Sequence, residues 1–588
     1  MASTMTLQLL DYIILAVTMI VSLGIGFYFA CFGEKQKTTA EYFKGGRKMQ
    51  ITPLVMSMLA GYITSNMMLG LPTEVYHFGS AYWYTSLGDC LGGMIGIYGF
   101  MPVFYKLQIT SIYEYLLYRF SNTLRLFNSI LNMCSLLVFA GFIIYAPALA
   151  LSQVTGLSVW TSIITTTAIG TIYTSIGGIK AIVWTDVLQL LIFIAAILAT
   201  LIKGCSGVGG ISYVIQKNIE GGRLSTLSFS PDPTLRYTAW GLIIYSTLKS
   251  IFMYGISQIQ MQRYMCCSNE NKARKTGWLN VAFSVPITII YCSIGLILYA
   301  MYWNCDPLSS QQIEKADQLF PLFVMHTMRS IPGMPGLFVA GIYSAALSTL
   351  SSILNSLSAI TLQDHIKPRL KNLSDKKATY ISKFLAAVYG VMCLFMIAAI
   401  INLGTILQAT QYLTGGVMGS TLGLFFLGLM IPWANTKGTS IAIVCGLGVS
   451  WWISIGTQIY HPRPNSLLPT STVNCSDILG DWTPLQKLNN TTKHIPDVYK
   501  ISYLWIMPIA FSVTVFVGSI TSVFIGSTEH FNLELLSPFV RTVMKKYFNK
   551  KYKELEANYK SVPPQENNCK QLSSTIDIES SDNESRNK

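Results

Sequence analysis

Apolar runs of membrane-crossing length recur along this chain, and no other feature restricts its fold as strongly. They lie at roughly 10–32, 51–75, 80–105, 125–151, 157–176, 180–203, 238–258, 276–303, 334–362, 380–400, 403–430, 439–460 and 502–526, each near the ~20 residues a helix needs to cross ~30 Å of hydrocarbon. The pattern predicts an all-α polytopic membrane protein of about thirteen helices. Composition agrees: 12% of the residues are charged, against roughly a quarter in soluble domains, so these runs are not the core of a water-soluble fold. The first run is too long for a signal h-region, Asp11 rather than a basic residue precedes it, and Cys31-Phe32-Gly33 is a poor cleavage site, so it is expected to remain as a helix.

One run differs from an ordinary lipid-facing helix. Between Ser57 and Tyr76 the sequence SMLAGYITSNMMLGLPTEVY is interrupted by small and polar residues and then by Pro72. Backbone freed at membrane depth is tolerated only where protein or a polar cavity satisfies it, and discontinuous helices near the midplane are how carriers build ion and substrate sites. This points to a carrier.

Basic residues give the orientation. Lys35, Lys37, Lys44, Arg47 and Lys48 fall in one loop, Arg263, Lys272, Arg274 and Lys275 in a second, and Lys367, Arg369, Lys371, Lys376 and Lys377 in a third, while the alternate loops are poorer in them. Basic loops stay cytoplasmic, which places the N-terminus outside and, after an odd number of crossings, the C-terminus inside. The sequons at Asn474, Asn489 and Asn490 then lie outside, where glycosylation is expected, and that at Asn372 lies inside.

The formal charge of +14 is spread over these loops and over Lys545, Lys546, Lys550, Lys551 and Lys553, so the expected partner is anionic inner-leaflet lipid rather than nucleic acid. Of the twelve cysteines, Cys205, Cys305 and Cys475 face the oxidising side and two of them can pair. Cysteine spacing does not suggest zinc. Nothing resembles a nucleotide loop or a catalytic triad, so an enzyme is not expected.

Helices counted from Ile51 to Lys203 and from Thr238 to Met430 give two groups of five that start on opposite sides, the arithmetic of an inverted repeat, with the site where the first helices of the halves meet. The organisation expected is a first helix and loop over 1–50, repeat one over 51–203, an extracellular loop over 204–237, repeat two over 238–430, two further helices over 431–526 around a glycosylated loop at 461–501, and a cytoplasmic tail over 527–588. Rich in Ser, Asn and acid, the tail is read as disordered.

LPTEVYHFGSAYW from Leu71, TSIYEYLLYRF from Thr110, IYTSIGGIKAIVWTDVLQ from Ile172, QMQRY from Gln260, LSTLSSILNSLSAI from Leu347, and LQATQYLTGGVMGSTLGLFFLG followed by PWAN together carry a resemblance over residues 10 to 530. The chain resembles the sodium/solute symporter family, in its iodide, monocarboxylate and multivitamin branch. The resemblance implies a LeuT-type fold with a 5+5 inverted repeat, one extra N-terminal and two extra C-terminal helices, and inward transport of a small solute driven by sodium. It places sodium on the carbonyls of Ala60, Ile63 and Ala345 and the hydroxyls of Ser348 and Thr349, an all-oxygen set suited to a hard cation. Independently, Ser344, Ser348, Ser351, Ser352, Asn355 and Ser358 form a polar stripe at helical spacing; by itself such a stripe favours close helix packing, and the adjacency of Ser348 and Thr349, facing a broken helix with the matching motif, turns the reading toward the ion site.

Asp186, just past the Gly177-Gly178 turn, matches an acidic residue the family uses for cation passage; the alternative is an interfacial carboxylate pairing with Lys180. By the same resemblance the solute is expected among Tyr62, Ser65, Asn66, the stretch from Tyr245 to Tyr254, and Gln408. Lys249 departs from a neutral family position. A cation mid-span costs at least ~2.5 kcal/mol, and the two explanations are pairing with a substrate carboxylate and snorkelling or pairing with a protein carboxylate. His77 stands where the branch has Arg, and Met418 and Ser420 replace part of its Gly-Gly-Pro segment. The expected function is plasma-membrane import of a small organic anion, a monocarboxylate or a vitamin such as biotin or pantothenate, by alternating access. The alternatives are a transporter-like solute sensor, a sodium leak channel, or an inorganic anion such as iodide as substrate. Sodium stoichiometry and oligomeric state are not legible.

Overall fold

The computed structural model describes residues 7–32, 38–156, 158–224, 227–370, 372–400, 406–460, 467–475, 495–526 and 532–548. Among them no strand occurs. Eleven helices are long and apolar enough to cross a membrane, and the pair Ile51–Tyr62 and Ser65–Phe78, bent by 53° at its break, passes the same test as one unit.

One of the eleven, Val159–Val208, has 50 residues, which a straight α-helix would stretch to about 75 Å, far beyond a bilayer. Its backbone turns at Gly178, at φ 60 and ψ −166, a conformation that needs glycine. The sequence boundary at the Gly177-Gly178 turn is therefore a real interruption. At the centre lies Met334–Ile366, 94% of whose most apolar window is buried; it carries the serine stripe and packs against Val159–Val208, Asn122–Thr155 and Ile51–Tyr62. The Leu9–Cys31 helix is peripheral, with 17% of its window buried, and is tied in at its start where Asp11 accepts a hydrogen bond from the Gly336 N–H at 2.9 Å.

Two helices are discontinuous. In the first, Ile63 and Thr64 are extended (Ile63 φ −80, ψ 102), and the Thr64 hydroxyl accepts from the Met67 N–H at 3.3 Å, capping the second half. Pro72, which the sequence suggested as part of the interruption, lies inside the regular Ser65–Phe78 helix. The second discontinuity was not expected: the run read as continuous over 238–258 is helical over Ala239–Ile251, passes through a wide turn at Phe252–Ile256, becomes extended at Ser257 (ψ 125), and resumes over Gln258–Met265.

Cys305 and Cys475 form a disulfide, leaving Cys205 free and settling the pairing that the sequence left open. The bridge holds residues 467–475 against the body, with Leu468 N–H donating to the His77 carbonyl and Arg223 to the Pro469 carbonyl. Asn474 is described and half-buried; Asn489 and Asn490 lie outside the described residues. Within the segment read as a disordered tail, Pro538–Tyr547 is helical and is anchored by the buried Met544, because Val540 and Met544 share one face at a spacing of four. The remainder of the tail lies outside the described residues.

Candidate functional site

The break after Tyr62 frees the carbonyls of the last helical turn. Opposite it stands the serine stripe, and between them is a cavity of about 10 Å³ lined by Ala60, Ile63, Gln189, Leu190, Phe193, Ser344, Ala345 and Ser348, room for one water-sized occupant. The hydroxyls of Ser344 and Ser348 are buried without a hydrogen-bond partner, a costly state unless something polar satisfies them. Thr349 donates its hydroxyl to the Ala345 carbonyl at 3.0 Å, leaving its oxygen lone pairs available. Four of the five residues expected to bind sodium thus line one cavity and Thr349 adjoins it. The donors are oxygens, as a hard monovalent cation requires.

Asp186, one turn before the cavity-lining Gln189, is fully buried, and its partner is Arg263 at 2.9 Å rather than Lys180. Ser57 donates to the same carboxylate oxygen, and Arg263 also donates to Ser57 at 2.7 Å, Ser352 at 2.7 Å and the Ile259 carbonyl at 2.9 Å. One guanidinium therefore joins four helices: Ile51–Tyr62, Gln258–Met265, the serine helix and the one bearing Asp186. The second carboxylate oxygen of Asp186 has no partner. Arg263 was visible in QMQRY, but nothing in linear spacing relates it to a residue 77 positions away.

The expected substrate residues do not form one cluster. Tyr62 and Lys249 are brought together by Asp89, a residue that sequence reading missed: Tyr62 donates its hydroxyl to Asp89 at 3.0 Å, Ser250 at 2.6 Å, and the Lys249 ammonium lies 3.2 Å from the carboxylate. The ammonium also sits 5.4 Å from the centre of the Tyr62 ring. Of the two explanations for Lys249, a protein carboxylate is thus in place. Tyr245 and Tyr254 are buried on the same helix, Tyr254 donating to Asn280 at 2.7 Å. Ser65 instead donates to the Ile143 carbonyl. Asn66 contacts Thr410 at 3.4 Å, and its side-chain oxygen is buried without a partner.

Gln408 belongs to a separate cavity of about 260 Å³ whose walls include His77, Arg236, Asp306, Asp317 and Thr470. Glu74 takes Arg236 in a two-pronged ion pair, Tyr237 donates to Glu74 at 2.6 Å, and Arg236 donates to Gln408 at 3.3 Å. Phe78 stacks on the guanidinium, 4.1 Å from its centre. Burial pushes the Asp317 carboxyl up to about 6, opposed by the hydrogen bond it accepts from the Ile406 N–H.

A sequence model of the sodium:solute symporter family matches residues 42–446. The human sodium-coupled monocarboxylate transporter 1 is 36% identical over 536 residues, covering 88% of this chain and 88% of the relative. The human sodium/iodide cotransporter is 35% identical over 544 residues, covering 89% and 84%. Among solved structures, a Na+-coupled sialic acid symporter in a substrate-bound outward-open state superposes with a TM-score of 0.69 at 25% identity, covering 88% of this chain and 98% of that one.

Proposed function

The chain belongs to the sodium:solute symporter family, and from that premise we propose that it imports a small organic anion, a monocarboxylate or a vitamin such as biotin or pantothenate, across the plasma membrane by alternating access. The observation that carries the coupling is the pair of orphaned hydroxyls, Ser344 and Ser348, on residues that line one small cavity with Ala60 and Ile63 at the broken helix. Sodium bound by Ala60, Ile63, Ala345, Ser348 and Thr349 would satisfy them and fix the break, favouring the state that admits substrate. It would leave toward the cytoplasm past Asp186 once Arg263 releases that carboxylate.

The solute is assigned to the region of Tyr62, Ser65, Asn66 and Lys249, with Gln408 on its route in from outside. Lys249 is the feature that favours an anion. A 5+5 inverted repeat within about thirteen crossings is supported by the interruption at Gly178 and by discontinuities in the helices that open the two proposed halves. With the N-terminus outside and the C-terminus inside, Asn474, Asn489 and Asn490 are glycosylation sites, and Lys545 and Lys546 meet anionic lipid.

Voltage-clamped oocytes expressing the protein are to be offered labelled lactate, nicotinate, pantothenate, biotin and iodide in sodium and in choline medium. Sodium-dependent accumulation of an organic anion is expected, and Ser348→Ala should raise the sodium concentration for half-maximal uptake about fivefold or more, the loss of one ~1 kcal/mol contact. Substrate-free sodium current without accumulation would replace the symporter by a channel, and uptake of iodide alone would replace the organic anion.

A further inference from the structure

Asp89 holds three donors on one carboxylate: the Tyr62 hydroxyl at 3.0 Å, the Ser250 hydroxyl at 2.6 Å and the Lys249 ammonium at 3.2 and 3.4 Å. It is almost wholly enclosed, with 3% of its side chain accessible, whereas Lys249 keeps 18%. Lys249 is therefore the less enclosed member of the pair. An ammonium has three N–H donors, and the carboxylate does not occupy them all.

Tyr62 is the last residue of the Ile51–Tyr62 half of the broken helix, bonded covalently to Ile63, which lines the proposed cation cavity. Asp89 lies on Thr85–Ile95 and Lys249 on Ala239–Ile251, helices packed closely enough that a Cβ on Gly88 would lie 2.0 Å from the Ser246 hydroxyl. The backbone whose order depends on the cation cavity is thus two contacts from the ammonium.

We propose that Asp89 is a positioning residue that couples the sodium site to an anion subsite at Lys249, through the Tyr62 hydroxyl. This rests on the sodium-coupled anion import proposed above. While the break is ordered, the hydroxyls of Tyr62 and Ser250 share the negative charge of Asp89, and the ammonium keeps attraction to spare for a substrate carboxylate. When the cation leaves and the break relaxes, Tyr62 withdraws, Asp89 draws Lys249 in more tightly, and affinity for the anion falls. The coupling is reciprocal, so bound anion also strengthens sodium binding. No proton is transferred and no covalent bond changes.

The test compares KM for the carboxylate probes lactate, nicotinate, pantothenate and biotin at low and at saturating sodium, on full-length protein with surface expression measured by biotinylation. Wild type is expected to lower its KM about tenfold between the two, within the usual 5–150-fold range of coupling between sites. Tyr62→Phe keeps the ring beneath the ammonium and removes only the donor. In this variant that ratio is expected to fall to about threefold or less. Lys249→Gln should raise KM at both sodium levels and Lys249→Arg should restore it.

An unchanged ratio in Tyr62→Phe, or an unchanged KM in Lys249→Gln, would overturn the coupling role while leaving sodium-driven uptake standing. Wild type at the surface with no sodium-dependent uptake of any of the four probes would overturn the import reading as well. Asp89→Asn should abolish the ratio too. Should it fail to reach the surface, Asp89→Asn/Lys249→Gln removes the stranded charge, and a sodium-dependent KM equal to wild type in that double variant would equally count against the proposal.

Discussion

Asp317 shows how burial of one side chain links the stability of a membrane protein to pH. It is outside the spanning helices, 2% exposed, and its visible support is one N–H from Ile406. Burial disfavours its charged form and raises its pKa to about 6, whereas in the unfolded chain it titrates near the ordinary ~3.9. The folded state therefore holds a proton that the unfolded state has released between about pH 4 and pH 6, and stability through this group rises as pH falls across that window. At pH 7.5 the ionised form costs on the order of 2–3 kcal/mol. Asp317→Asn can keep the Ile406 bond and carries no charge, so the purified variant should melt at least as high as wild type at about pH 7.5 and gain less on acidification to about pH 5. Parallel melting curves against pH for the two proteins would show that the Asp317 charge is not the source. Partners of this kind are what linear sequence conceals. Lys249 stood out as a cation in mid-span, and its counter-charge Asp89 was equally present in the run at 80–105; matching opposite charges between spans would have found the pair. Arg263 with Asp186 could not be found that way, because a basic residue beside a cytoplasmic loop looks the same whether or not it turns inward.

At the level of elements, the disulfide makes a separable prediction. Cys305–Cys475 closes a loop of 170 residues and pins residues 467–475 over the outer cavity through Leu467 and Thr470. Cys475→Ser should destabilise the protein by about 2–4 kcal/mol, read as a lowered melting temperature, and reductant should reproduce the loss in wild type with no effect on the variant. Equal melting of the two proteins without reductant would mean that backbone contacts alone hold the loop, such as the Asp306 N–H on the Ser471 carbonyl at 2.9 Å. How well each element could be read from sequence follows from the kind of signal it leaves. Apolar length is a strong signal and located the spans. The discontinuity at Ile63 was expected in the correct stretch but credited partly to Pro72, which the helix accommodates; the interruption comes from Thr64 turning its hydroxyl to cap the next helix. The discontinuity at Ser257 passed unnoticed because neither proline nor glycine occupies that position, and a wide turn at Phe252–Ile256 leaves no mark in hydrophobic periodicity. The residues grouped around Ser348 by two motifs at once do line one cavity, whereas those expected around the solute, inferred one by one, occupy different surroundings.

On the scale of the whole molecule, two buried ion pairs are formed at once. Glu74 and Arg236 have side chains 5% and 6% exposed, and Asp186 and Arg263 0% and 1%; in the orientation proposed above the first pair lies on the outer side and the second on the inner side. Each joins helices that must separate for a path to open. The outer pair ties the outer half of the broken helix to the lead-in of the second discontinuous helix, and the inner pair ties the resumed half of that helix to the one bearing Asp186. Breaking a buried pair by removing one partner costs about 3–5 kcal/mol, enough to shift a two-state equilibrium by more than a hundredfold. Alternating access demands that the pairs not open together, so the two losses should have opposite signatures. Glu74→Gln should favour an outward-open state, seen as faster modification of a Ser309→Cys reporter in the outer cavity by a membrane-impermeant thiol reagent, with sodium still required for uptake. Arg263→Gln should favour an inward-open state, seen as slower modification of the same reporter and weaker apparent sodium affinity from outside, because the cavity beside Ser348 then drains to the cytoplasm. If both variants changed reporter accessibility in the same direction, the pairs would be fastenings of the fold, and the alternation of access would have to be carried by apolar contacts alone.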